Sequence, residues 1–448
     1  MSFTSLEFIP FVFIAFVLFY VTKNKARLFV LLVFNVLFSL TFVSWNIIVL
    51  LIFGLYSYFA ALKINKKGII IPIILVFIFF KYSYYFTGNI LTPIGISFYT
   101  FKIISYLMDV YNEKIEAEKD ILVYLNYVMF FPTLVSGPIS RFKPFMESLD
   151  NKFDYKKSRD GAFLMFSGIF EKMVIADFLG ILVNNIYGNI ELTGIYVWIA
   201  IFLYALQIYV DFDSYSNIAI GASKIMGIEV GENFKTPYLS SNIKEFWRRW
   251  HISLSTWFKD YVYIPLGGNR KGEFRKHLNT IIVFILSGVW HGSTINFLIW
   301  GLGHGLLQLI EDYYFKFYNT LKLNDIIKKI NKIIGIVINY ILVSILFVFF
   351  KISKFDDAID VFRRSFVISE FDYINLGLVE REWYYLLIMI FVFVIIELIR
   401  YKHSMVSLIT ERNIIIRWTV YVSMVAIFLI FAIYGSQYNP ADFIYKHF

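Results

Sequence analysis

One histidine lies in an otherwise apolar stretch of the chain. His291 falls within residues 286–293 (LSGVWHGS), between small residues. An ionisable side chain is costly inside a membrane and usually marks a site, and imidazole suits proton transfer near neutral pH. The alternative role is a hydrogen-bonded contact between two helices. Gly288 and Gly292 would let a substrate or another backbone approach closely.

A second histidine, His251, occurs in a segment that predicts one helix over residues 242–260. Asn242 is a favourable N-cap, with Glu245 at the N3 position of a capping box. Apolar residues then recur at helical spacing and form one stripe, which consists of Trp247, Trp250, Leu254, Trp257 and Phe258. Such a helix could lie in a membrane interface, with basic residues reaching to water. This interpretation gives His251 no chemical role.

Other polar residues also stand in apolar surroundings. Asp211 and Asp213 are two positions apart, so on a helix they point to different sides. They would orient a histidine or cap a broken helix. His304, between two glycines, is predicted to serve packing. The spacing of the three histidines matches no zinc motif, so no metal site is predicted, and the chain contains no Gly-x-Ser-x-Gly, P-loop or Rossmann fingerprint.

The composition indicates that these residues lie in a membrane. Hydrophobic residues make up 58% of the chain, against about 45–50% in soluble domains, and residues 28–62 carry no charge. Membrane helices need about 20 apolar residues. We therefore expect an all-α polytopic membrane protein with about 11 or 12 transmembrane helices. Residues 2–21 lack a basic n-region and are predicted as the first span, not a signal peptide.

The charge pattern predicts an orientation. The net charge is +9, but the basic residues lie between apolar blocks, which is typical of membrane anchoring and not of nucleic-acid binding. Basic loops at residues 23–27, 63–67, 311–331 and 400–412 are expected inside. The N-terminus, residues 351–382 and the C-terminus are then expected outside. The absence of cysteine excludes disulfides and thiolate nucleophiles.

Residues 130–142 interrupt an apolar region with Pro132, Gly137 and Pro138. Irregular backbone at membrane depth is tolerated only where protein buries it or where it lines a cavity. We expect a re-entrant element that lines a site; a kinked helix end is the alternative.

Several runs follow each other in the order of a known family. They are residues 93–101 (PIGISFYTF), 131–138 (FPTLVSGP), 233–238 (NFKTPY), 246–255 (FWRRWHISLS), 260–271 (DYVYIPLGGNRK), 288–292 (GVWHG) and the tail 443–448 (FIYKHF). Together they resemble the membrane-bound O-acyltransferase (MBOAT) family, in its bacterial branch for alginate and peptidoglycan O-acetylation. Residues 131–138 and 242–244 also resemble the branch that transfers D-alanine to teichoic acid. The family usually has a serine or alanine where Asp213 stands.

The resemblance implies that His291 is the catalytic histidine and His251 the second active-site histidine. It implies one integral domain, residues 1–448, with N-terminal spans at 1–90, a catalytic core at 91–310, and C-terminal spans with an outward-facing tail at 311–448. Funnels from both faces would thin the core, so that donor and acceptor meet at His291. Bacterial members hand the group to a separate periplasmic or extracellular transferase of the SGNH type.

The expected function is therefore O-acyl transfer in a bacterial inner membrane. An acetyl group would pass from a cytoplasmic thioester, acetyl-CoA, toward a hydroxyl of an extracellular polysaccharide or of peptidoglycan, without a bound cofactor. D-alanyl transfer is the alternative enzyme activity. A transporter is the non-enzymatic alternative, although the chain shows no internal repeat.

Further residues are predicted to bind the substrate or carry the acyl group. The substrate-binding set is Trp290, Arg248, Arg249, Asp211, Arg270 and Lys271. Arg270 and Lys271 belong to a basic cluster, residues 269–276, that would either keep a loop inside or bind the donor's phosphates. Tyr445 would either anchor the tail at the interface or carry the acyl group, because a phenol leaves more readily than a sugar hydroxyl.

Overall fold

The structure, a computed structural model, describes residues 1–42, 45–63, 67–321, 323–372, 376 and 378–433. These residues form helices joined by turns and by longer irregular segments, and no strand occurs among them. The predicted all-α class is confirmed.

The α-helices of the described part are numbered in chain order. They are α1 (Phe8–Val21), α2 (Asn24–Leu40), α3 (Trp45–Leu62), α4 (Ile71–Lys81), α5 (Ser83–Thr87), α6 (Ile96–Tyr111), α7 (Ile121–Met129), α8 (Phe142–Ser148), α9 (Tyr155–Phe170), α10 (Asp177–Gly188), α11 (Ile195–Ile225), α12 (Ile243–Arg249), α13 (Ile252–Phe258), α14 (Glu273–His291), α15 (Ile295–Tyr318), α16 (Asp325–Lys351), α17 (Phe355–Ser365), α18 (Glu380–Arg400), α19 (Met405–Thr410) and α20 (Ile414–Phe431). Short 3-10 turns cover Lys67–Ile70, Phe131–Thr133 and Pro237–Leu239, and π-helical segments cover Glu171–Ala176 and Lys259–Tyr263.

Within the described part, five helices are long and apolar enough to cross a membrane: α3, α11, α16, α18 and α20. Three shorter apolar helices cover Phe8–Val21, Gly68–Lys81 and Ile121–Thr133. A multi-pass membrane protein is therefore confirmed, while the total of about 11 or 12 spans stays a prediction. The helices of the core are short or carry charge at one end, as α14 does, because Pro, Gly and polar residues interrupt the apolar runs.

The 31-residue helix α11 forms the centre of the bundle and is buried over most of its length. It packs closely on α9, where Gly161 and Gly168 face it. A Cβ atom on Gly168 would lie 2.5 Å from the carbonyl oxygen of Ser214. Such contacts let two backbones approach closely, as is common between membrane helices.

The loops gather at two opposite ends of the bundle. At one end Arg27 donates to the carbonyl of Leu149 (3.4 Å) and Lys156 pairs with Glu411 (2.8 Å). The predicted inside loops at residues 23–27 and 400–412 therefore share this end. At the other end Tyr85 donates to the carbonyl of Ser293, close to Asn296, which donates to that of Ile352. Which end faces the cytoplasm stays a prediction.

The interrupted segment at residues 130–142 is irregular and lies inside the protein. After α7, a 3-10 turn covers Phe131–Thr133, and the chain stays non-helical until Arg141. The Phe131 amide donates to the Asn35 side chain (2.8 Å). Gly137 has a φ of 96° and no room for a Cβ, which would lie 2.8 Å from that of Ala219. The expected buried, irregular element is confirmed.

Candidate active site

The prediction of one continuous helix over residues 242–260 is wrong, because the helix is broken at His251. Helix α12 ends at Arg249, α13 begins at Ile252, and His251 has a φ of 44°. The break occurs because another segment takes the backbone groups there: the Ile252 amide donates to Asn233 O (2.8 Å) and the Lys235 amide to Arg249 O (2.9 Å). A non-glycine residue in this conformation is strained and often marks a functional site.

The predicted start of this helix is confirmed. The Asn242 side chain accepts from the Glu245 amide (2.8 Å). The Glu245 carboxylate accepts from the amide of Ser241 (3.0 Å), whereas a capping box would use the amide of Asn242. The apolar stripe faces the protein interior and not an interface, since all five members are buried; Trp257, for example, stacks on Phe101 at 3.8 Å.

His291 is the last residue of α14 and is only 1% exposed. The backbones of α14 and α15 touch just before it. A Cβ on Gly288 would lie 2.3 Å from Phe297 O, and one on Gly301 would lie 2.3 Å from Phe284 O. Of the two uses predicted for Gly288, the approach of another backbone is therefore the one observed.

The break at His251 and the end of α14 bring the two histidines together. Their ring centroids lie 6.4 Å apart, and His251 is fully buried. That separation is too long for a direct imidazole–imidazole hydrogen bond, yet short enough for one reacting group to contact both. Aromatic rings enclose the pair: Trp290, Trp300 and Phe350 lie beside His291, and Phe212, Phe234 and Trp290 beside His251.

Asn233 orients His251, a role that was not predicted from the sequence. Its Oδ1 lies 3.3 Å from His251 Nδ1 and accepts from Ser253 Oγ (2.6 Å). Its Nδ2 donates to Ser216 Oγ (3.1 Å). Ser253 Oγ also accepts from the Ile139 amide (3.0 Å). The irregular segment at residues 130–142 therefore supports this network, as expected of an element that lines a site, while its re-entrant course stays a prediction.

The network also assigns the tautomer of His251. Ser253 Oγ accepts a hydrogen bond from the Ile139 amide, so its own hydroxyl proton points to Asn233 Oδ1. That oxygen can only accept, and Nδ1 of His251 must therefore carry the proton. In the neutral imidazole, Nε2 then carries the lone pair and is the nitrogen that can take a proton.

His304 serves packing, as predicted. Trp247 Nε1 donates to its Nδ1 (3.4 Å), and its ring lies 5.1 Å from that of Trp300. Because Trp300 also contacts His291 (4.9 Å), His304 supports the aromatic enclosure from behind.

Both aspartates of α11 form buried ion pairs. Asp211 pairs with Lys172 (2.7 Å), which also pairs with Asp177. Asp213 pairs with Arg400 (2.7 Å). The two aspartates face different sides of the helix, as predicted. Their partners are a lysine and an arginine of other helices, so these ion pairs do not orient a histidine, contrary to the expectation.

The predicted basic residues differ in what they contact. Arg249 pairs with Glu245 (3.0 Å) and donates to Thr236 Oγ1 (3.2 Å). Arg248, Arg270 and Lys271 are exposed, and their side chains make no hydrogen bond or ion pair with another described residue. Near them, Asp312 pairs with Lys244 and Lys276. Tyr445 and the tail, residues 434–448, lie outside the described residues.

The fold and the site define a class: a multi-pass helical membrane protein with a buried histidine pair. Residues 79–353 match the family model of MBOAT, the membrane-bound O-acyltransferase family. The chain belongs to this family, and the resemblance carried by its sequence motifs is confirmed.

The chain is similar to several curated relatives. It is 42% identical over 224 residues to the probable alginate O-acetylase AlgI of Pseudomonas putida, covering 50% of this chain and 46% of that protein. It is 33% identical over 390 residues to the peptidoglycan O-acetyltransferase of Helicobacter pylori (73% and 72%). It is 31% identical over 254 residues to the teichoic acid D-alanyltransferase of Bacillus subtilis (52% and 62%). The match spans about half the length of the Pseudomonas protein.

Proposed function

We propose that this protein is an O-acyltransferase of the bacterial cytoplasmic membrane. It takes an acetyl group from a cytoplasmic thioester, acetyl-CoA, and passes it toward a hydroxyl of an extracellular polysaccharide or of peptidoglycan, through a partner transferase. The names of the Pseudomonas and Helicobacter relatives support acetyl transfer. The observation that carries the proposal is the buried pair of His291 and His251.

The chemistry needs one base and a way to position the donor. The acceptor hydroxyl gives its proton to His291 while the hydroxyl oxygen attacks the thioester carbonyl. The C–S bond then breaks and the proton leaves with the thiolate, so that the products are an O-ester and a thiol. Water is kept out by the aromatic rings around the pair.

His251 is proposed to position the donor. Because Asn233 holds its Nδ1 proton, neutral His251 presents an acceptor at Nε2. It can polarise a thioester carbonyl only after it has itself been protonated. Orientation of the two reactants is expected to lower the barrier substantially.

The donor would enter from the end of the bundle at which α14 begins. The exposed side chains of Arg248, Arg270 and Lys271 fit the phosphates of a nucleotide-bearing thioester. Helix α14 has 19 residues, so His291 lies about 28 Å further along its axis. A donor with its acyl group on a long, flexible arm suits this separation.

The test is acyl transfer by the purified protein in lipid vesicles with labelled acetyl-CoA. The chain has no cysteine, so released CoA thiol can be measured without background from the protein. His291→Ala is expected to abolish transfer while the protein inserts and purifies normally. The exposed His403 provides the control variant, His403→Ala. Full activity in His291→Ala would exclude this residue as the base.

D-alanyl transfer is the second candidate, because the chain is also similar to the Bacillus subtilis D-alanyltransferase. That activity requires a carrier protein with a D-alanyl thioester in place of acetyl-CoA. The same vesicles should be given each donor separately. Label from the D-alanyl carrier alone would favour the second candidate. Neighbouring genes for a D-alanine ligase and its carrier, or for an SGNH-type transferase, provide an independent comparison.

A further inference from the structure

A buried lysine contacts the backbone of His291 itself. Lys81, the last residue of α4, is only 9% exposed, and its Nζ donates to the carbonyl oxygen of His291 (3.2 Å). Burying a lysine among apolar side chains is costly. The interaction links two residues that are 210 positions apart, and nothing in the sequence motifs singled Lys81 out.

The position of this contact explains what it does. His291 ends α14, and the last carbonyl groups of a helix have no partner within the helix. They also form the negative end of the helix dipole, which favours a cationic donor. Two neighbours of Lys81 contact the same end: Tyr82 donates to Val289 O (3.0 Å) and Tyr85 to Ser293 O (3.1 Å). Residues 81–85 therefore contact the end of α14 and the residues just after it at three points, and Lys81 makes the buried contact.

We propose that Lys81 is a positioning residue for acyl transfer, which fixes His291 through its main-chain oxygen. The inference rests on the proposed function, because it gives His291 the role of base. Without the Lys81 bond, the last turn of α14 could relax, and a shift of the imidazole by about 1 Å is enough to reduce a rate about a hundredfold. The tyrosine hydroxyls lie at the exposed side and would not replace a buried donor.

The test compares Lys81→Met, which keeps most of the volume but removes the donor, with the double variant Tyr82→Phe/Tyr85→Phe. We expect Lys81→Met to lower kcat at least about tenfold while the KM for acetyl-CoA stays within about twofold. The double variant should retain most of the activity. Wild-type kcat in Lys81→Met would overturn the inference.

A chemical rescue separates positioning from general loss of stability. Lys81→Ala leaves space for a small amine, and ethylamine in the assay should restore part of its activity, whereas ethanol should not. His291→Ala should be inactive with or without ethylamine. A folded Lys81→Ala protein that ethylamine does not rescue would overturn the role of Lys81. Activity in His291→Ala would instead contradict the proposed function, so the two failures are distinguishable.

Discussion

Asn233 Oδ1 lies 3.3 Å from Nδ1 of His251, and this contact determines which imidazole nitrogen can take a proton. The two residues are 18 positions apart. They meet because the chain around residue 233 replaces the helical hydrogen bonds that break at His251.

Replacing Asn233 should therefore impair catalysis more than folding. Asn233→Leu removes the acceptor, and we expect kcat to fall about tenfold to a hundredfold, the range known for residues that orient metal-binding histidines. Asn233→Asp keeps an acceptor at the same place and should be less impaired. Asn339→Leu is a matched control, since Asn339 is also buried and its side chain donates to Ser240 O. Equal losses of kcat in Asn233→Leu and Asn339→Leu would contradict the orienting role.

Gly288→Ala tests whether the close approach of α14 and α15 positions His291. The new Cβ would lie 2.3 Å from Phe297 O, so the helices must separate, which is expected to cost about 1–3 kcal/mol. We expect a lower melting temperature and a clear loss of kcat. Gly188, the last residue of α10, is the control position, because a Cβ added there would meet no atom within 4 Å. Gly188→Ala should therefore leave both quantities unchanged, and a wild-type melting temperature for Gly288→Ala would argue against the tight contact.

The sequence singled out His291 and His251 as candidate active-site residues and predicted the irregular element at residues 130–142. It did not predict how these three parts come together in space. The apolar run around His291 and the family resemblance were enough to select it. The break at His251 was missed because residues 242–260 have the periodicity of one continuous helix. Only the long-range backbone bonds to Asn233 and Lys235 override that local preference. The run at residues 233–238 was the one signal that could have pointed to Asn233.

The exposed basic residues give a prediction about donor binding. Arg270→Gln combined with Lys271→Gln should raise the KM for acetyl-CoA about threefold to tenfold with little change in kcat, because exposed charge pairs contribute about 1 kcal/mol or less each. The effect should shrink at high ionic strength. Lys329 is exposed on the first turns of α16, and Lys329→Gln serves as the control. An unchanged KM in the double variant would mean that Arg270 and Lys271 do not bind the donor and only help to keep their loop on the inner side.

Tyr445→Phe tests the proposed acyl carrier, which rests on the sequence alone. The change keeps the aromatic ring and removes the nucleophilic hydroxyl. If Tyr445 carries the group, acyl transfer to the acceptor should be lost, and mass spectrometry of the wild-type tail should detect an acetyl adduct. Full activity in Tyr445→Phe would reduce this residue to an interfacial anchor.

The ion pair of Asp213 and Arg400 gives the last prediction, and it concerns stability. Arg400 joins α18 to α11 by pairing with Asp213 (2.7 Å), and it also pairs with Glu397 (3.1 Å). Both carboxylates are buried, and Tyr209 donates to that of Glu397 (2.9 Å). The sequence could not assign Asp213 a partner because Arg400 is 187 positions away.

Arg400→Met should lower the free energy of unfolding by about 3–5 kcal/mol, because it leaves two buried carboxylates without their cation. Adding Asp213→Asn removes one of those charges, so the double variant should melt at a higher temperature than Arg400→Met alone. The exposed Arg412 provides the control, as Arg412→Met should change stability by less than about 0.5 kcal/mol. A double variant that melts below Arg400→Met would show that the charge of Asp213 is balanced by something other than Arg400.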